Sequence, residues 1–136
     1  MIGEVFERRL RLSMEEIAEF AQAVGDRNPI HHDIEHARAS RFGNIVASEP
    51  QISSLFMAMV ATYFSQNRAM LGLEFNFRFI APIFPMMDLK MRWEVVDVEP
   101  KPTSQSELIT LAGRITNLHG DILVEGDGKA MLMDKL

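Results

Sequence analysis

From Gln51 to Phe64 the chain reads as a helix that is apolar on nearly every side. Ile52, Leu55, Phe56, Met59, Val60 and Tyr63 form one face, and Met57, Ala58 and Ala61 carry the apolar surface round to the other. Such a helix has no solvent side and is expected to be buried. Pro50 suits its first helical position, which makes Glu49 the expected cap. Beyond Met70 the period changes from helical to two. Leu73, Phe75, Phe77 and Phe79 alternate with Glu74, Asn76 and Arg78, the pattern of a half-buried strand over Leu71 to Phe79. Leu89 to Val98, Leu108 to Asn117 and Ile122 to Met133 are further candidate strands, separated by the turn sequences Glu99-Pro-Lys-Pro102 and His119-Gly-Asp121. The fold class is therefore α+β, an antiparallel sheet wrapped around a long buried helix.

The segment before that helix is punctuated clearly. Val5 to Leu12 suits a first strand, and Ser13-Met-Glu-Glu16 is a capping box. Ile17, Phe20, Ala21 and Val24 follow at helical spacing up to Gly25, a plausible stop. Asp33 can cap a short second helix through Glu35 to Ser40. Pro82 to Pro85 breaks the strand that ends at Phe79.

A chain of 136 residues suits a single domain, 1–136. A domain of this size buries roughly two-thirds of the surface of its unfolded chain, so neither disulfide nor metal is needed as a staple. There is no cysteine, which excludes thiolate metal sites and thiol catalysis and fits a cytoplasmic protein. The net charge is −5 and the basic residues are scattered, against a nucleic-acid partner. The longest apolar stretch, Leu55 to Tyr63, is too short to span a membrane. The first residues lack the apolar core of a signal peptide.

One run stands apart from regular structure: Gly25-Asp-Arg-Asn-Pro-Ile-His31, in which Pro29 pushes Asn28 away from helical angles. Taken alone, Asp26 and Asn28 are also common turn formers. With Phe20 to Val24 before it and Asp33 after it, the run resembles the signature of the MaoC-like dehydratases and R-specific enoyl-CoA hydratases. Ala37, Phe42-Gly43 and Val46-Ala-Ser48 are similar to the segment leading into that family's central helix. Leu73 to Phe79, with Pro82, resembles the strand that follows it. The resemblance covers about Ser13 to Val98. It implies a hot-dog fold, a homodimer or higher homo-oligomer, and interconversion of trans-2-enoyl and (R)-3-hydroxyacyl thioesters carried on CoA or acyl carrier protein. Two departures stand out. Glu49 occupies a position where the family usually has glycine, and Met86-Met87 occupies one where it usually has Gly-Asp.

Hydration of an enoyl thioester needs a base for the attacking water, a proton donor to C2 and a site for negative charge on the thioester oxygen. By resemblance, Asp26 and His31 are the acid–base pair. They lie five apart across a kinked loop, so both can point at one water. Asn28 shapes that loop. Backbone amides near Ser48 and Glu49, at the start of the buried helix, are the candidate oxyanion donors. Ser53 and Ser54 are candidate substrate contacts, although either can instead bond back to a carbonyl one turn earlier. His32 and His36 have a helical ligand spacing, but no wider ligand set accompanies them, so no metal and no cofactor is expected. Two other readings fit the same fold: a non-catalytic acyl-thioester-binding protein, and a thioesterase that uses the Glu49 carboxylate.

Overall fold

The computed structural model describes residues 1–135. Its elements are β1 (Val5–Leu10), α1 (Met14–Val24), α2 (Ile34–Ala39), α3 (Glu49–Ser65), β2 (Arg68–Phe79), β3 (Leu89–Lys101), β4 (Ser106–Thr116) and β5 (Ile122–Asp134), with 3₁₀ turns at Pro29–His31 and Pro102–Ser104. The strands form one antiparallel sheet in the order β1-β3-β4-β5-β2. Its inner face carries Met91, Trp93, Val95, Ile109, Leu111, Ile115 and Leu132, all fully buried against α3.

The helix ends follow from local chemistry. The Ser13 hydroxyl accepts from the Glu16 amide, and the Glu16 carboxylate accepts from the Ser13 amide. Gly25 closes α1 in the left-handed region at φ 78°, and the next amide, of Asp26, donates to the Ala21 carbonyl at 2.8 Å. Asp33 caps α2 through the His36 amide. At α3 the expectation is corrected: Ser48, not Glu49, has the extended cap conformation, and Glu49 is the first helical residue ahead of Pro50. Proline fits either of the first two positions, because no intrahelical bond is asked of its nitrogen there.

The helix lies close to the sheet because the sheet is notched beneath it. Phe6, Trp93, Gly113, Gly126 and Phe77 are register partners across the five strands. The two central glycines leave room for the ring of Phe56 on α3. A Cβ on Gly113 would stand 2.5 Å from Trp93 and 2.8 Å from Phe56. Trp93 stacks on Phe56 at 4.2 Å and donates its indole N–H to the Phe56 carbonyl at 3.0 Å. At the other end of α3, Tyr63 stacks on Phe6 and donates its hydroxyl to Glu4. That hydrogen bond holds the phenol above its ordinary pKa.

Three further readings are corrected by the tertiary structure. The helix α3 is not buried all round: Met57, Ala58 and Ala61 are exposed, because a single sheet covers one side only. Strand β3 does not end at Val98 but runs through Pro100 to Lys101. The β1 register ends at Val5↔Glu94 and the last backbone bonds to the N-terminal segment are at Val95, so beyond Val95 β3 is an edge, where a residue without N–H is tolerated. In β2 the pairing shifts between Gly72 and Glu74, so Leu73 sits at a bulge outside the alternation, 49% exposed.

Candidate active site

The run 25–31 leaves α1 at the left-handed Gly25 and re-enters a helical turn at Pro29, so the chain bends back within a few residues. The Asn28 carbonyl oxygen Oδ1 accepts from the Ile30 amide at 3.3 Å and caps that 3₁₀ turn. The bend brings Asp26 and His31 together, with Asp26 Oδ2 3.3 Å from His31 Nε2. The two carboxylate oxygens divide their work. Oδ1 accepts from the Asn28 amide at 3.0 Å, which leaves Oδ2 turned to the imidazole.

His31 is 3% exposed, and its other nitrogen faces the Val46 carbonyl at 2.6 Å. A carbonyl only accepts, so Nδ1 carries a proton and Nε2 is the ring position left for proton exchange. At 3.3 Å the Asp26–His31 contact is longer than the roughly 2.7–2.9 Å of a tight charge-assisted bond. Both groups therefore keep capacity for a third partner. His32 does not join a metal site with His36; its Nε2 donates to the Asp26 backbone carbonyl at 2.8 Å and ties the loop to itself. Among the described residues, no group of three or more His, Asp and Glu is placed to hold a metal ion.

A cavity of about 320 Å³ opens beside this pair. Asn28, His31 and Glu49 line it together with Ile30, Phe42 and Val46, and Phe79 to Pro82 close the far side. Glu49 reaches the cavity from the first turn of α3. The sequence-expected serines are arranged differently. Ser48 is fully buried, its hydroxyl neither caps α3 nor finds a partner, and it does not line the cavity. Ser53 donates back to the Pro50 carbonyl at 3.1 Å, and Ser54 is exposed; neither lines the cavity. Phe79 does so, whereas Phe75 and Phe77 of the same strand pack around Trp93.

Sequence reasoning missed the part played by Val46, because a backbone carbonyl acceptor has no residue-type signature. Ile80 on the cavity wall lies just past the alternating stretch, where period-two reasoning stops. Met86, where a turn glycine was expected by resemblance, takes that turn's conformation at φ 62°, with its amide donating to the Leu12 carbonyl at 2.7 Å.

The whole chain superposes on R-hydratase PhaJ1 from Pseudomonas aeruginosa with a TM-score of 0.86 and 26% identity, over 99% of this chain and 83% of that one. It also superposes on the (R)-hydratase from A. caviae involved in PHA biosynthesis, with a TM-score of 0.83 and 22% identity over 96% and 95% of the two chains. A UPF0336 protein of Saccharopolyspora erythraea is 28% identical over 115 residues, 79% of this chain and 71% of that protein. The architecture is thus the hot-dog fold, and no helix among the described residues is long and apolar enough to cross a membrane. The family model for the MaoC like domain matches residues 2–113, a span that holds the Asp26–His31 loop, α3 and the first three strands in full, and on that match the chain belongs to the MaoC-like domain family.

Proposed function

We propose that this protein is an enoyl-thioester hydratase, interconverting trans-2-enoyl and (R)-3-hydroxyacyl thioesters, with Asp26 and His31 as its acid–base pair. The observation that carries this reading is the 3.3 Å approach of Asp26 Oδ2 to His31 Nε2 beside a largely apolar cavity. Hydration takes one proton from water and gives one to C2. A pair holding a single proton between its reactive atoms does both: one member accepts from water as the other delivers to C2, and the pair is restored by passing the proton back. His31 lines the cavity and Asp26, outside the lining, reaches to 3.3 Å from it, so on this reading water and proton arrive on the same face of the double bond.

The amides at the start of α3 are the proposed oxyanion donors. Pro50 has no N–H and Ser48 gives no side-chain cap, so the Glu49 and Gln51 amides remain available at the positive end of a 17-residue helix. A donor of this kind is worth about 3–4 kcal/mol to the transition state. Incubation with crotonyl-CoA tests the reading: 3-hydroxybutyryl-CoA, seen by mass as one added water, is the expected product. Free CoA would instead favour a thioesterase, for which Glu49 on the cavity wall is the supporting observation. Recovery of crotonyl-CoA unchanged would leave the acyl-binding reading.

The proposed working form is a homodimer in the cytoplasm. Met57 on α3, Leu71 and Leu73 on the edge strand β2, and Ile80 beyond it are 39–57% exposed apolar side chains of the kind that a second copy would cover. An isologous pair is the commonest closed solution. Light scattering is expected to give twice the chain mass of 15.5 kDa at micromolar concentration, and Leu71→Arg is expected to shift it toward one. A parent of single mass would refute the dimer.

A further inference from the structure

Among the described residues that line the 320 Å³ cavity, Glu49 is the one with a carboxylate, and apart from Asn28 and His31 its neighbours there are hydrocarbon. It takes part in none of the ion pairs of the described residues. Glu49 is an exposed residue of this wall, so its charge faces whatever enters from solvent. A carboxylate at the start of α3 also complements the helix dipole.

We propose that Glu49 is a charge filter for the acyl group, admitting neutral enoyl chains and turning away those that carry a carboxylate. This rests on the hydratase reading above. A carboxylated acyl chain entering the cavity gives up hydration, meets like charge at Glu49 and finds no free lysine or arginine on the wall. A neutral chain gives up little and packs on Phe42, Phe79 and Ile80. Specificity here is exerted by repulsion of the wrong substrate rather than by added attraction for the right one. The same charge opposes the developing enolate, so removing it is expected to raise turnover of neutral substrates as well, but less.

The test compares kcat/KM for trans-2-hexenoyl-CoA and for trans-2-hexenedioyl-CoA, equal in chain length and different in the terminal carboxylate. In the parent the neutral substrate is preferred. In Glu49→Gln, which keeps the shape, that preference is expected to fall by about tenfold or more, and in Glu49→Lys it should fall further. A preference ratio unchanged in both variants overturns the proposal. If the parent hydrates neither thioester, the hydratase reading fails by itself. The filter is then read from calorimetric binding of hexanoyl-CoA against adipoyl-CoA. Loss of the preference in Glu49→Gln supports it, whereas an equal preference in parent and variant, or binding of neither ligand, overturns it.

Discussion

Replacing Asp26 with asparagine is expected to lower kcat for crotonyl-CoA by about 10²- to 10⁴-fold, the usual contribution of a positioned acid or base. The substitution is chosen to spare the loop. An asparagine carbonyl can still accept from the Asn28 amide, as Asp26 Oδ1 does at 3.0 Å, while the amide nitrogen replaces Oδ2 beside His31. The loop shape is kept and the proton-accepting atom is lost. Stability is expected to change by less than about 1 kcal/mol, since Asp26 is only partly buried and its turn bond survives. Asp26→Ala should be equally inactive but somewhat less stable, because the Asn28 amide then loses its acceptor. Steady-state rates and a urea titration of both variants check this. Turnover within a few-fold of the parent in Asp26→Asn would remove Asp26 from the chemistry.

The largest effect on folding is expected at Gly113. Even one methyl there would approach Trp93 to 2.5 Å and Phe56 to 2.8 Å. Neither ring is free to yield. Trp93 is stacked on Phe56, is bonded through its indole N–H to the helix backbone, and has Phe75 and Phe77 edge-on around it. Relief would require lifting α3 from the sheet. Overpacking a filled core costs typically about 1–3 kcal/mol, occasionally more. Gly113→Ala is expected within that range and Gly113→Val at or above its upper end, read as a lower urea midpoint. Because the first turn of α3 carries the proposed oxyanion amides, the valine variant should also lose activity, whereas Asp26→Asn loses activity alone. A Gly113→Val protein with an unchanged midpoint would show that the notch is not filled as described.

What was legible in the sequence is local. Ser13 and Glu16 are three apart and cap each other, whatever the rest of the chain does. Gly25, Asn28 and Pro29 shape the bend that sets Asp26 against His31 through bonds that span only a few residues. For the same reason the pairing of these two side chains could be anticipated from a single heptapeptide. Period-two alternation likewise marked the strand through Phe75, Phe77 and Phe79, since the pleat is a property of each strand alone, and turn residues bounded the later strands.

What only the tertiary structure decided depends on groups distant in sequence. Val46 holds His31 by a carbonyl, and every residue has one, so nothing in the residue types marked it. Met57, Ala58 and Ala61 look like core residues by composition, but one sheet can cover only one side of a helix. Pro100 reads as a strand breaker until the register shows that β3 has no neighbour on one side there. Gly113 and Gly126 are unremarkable apart, and only their register pairing beneath Phe56 makes them the seat of the central helix. Local hydrogen bonds and periodicity are written residue by residue along the chain. Register, coverage and close approach are relations between segments, and they exist only once the segments have packed.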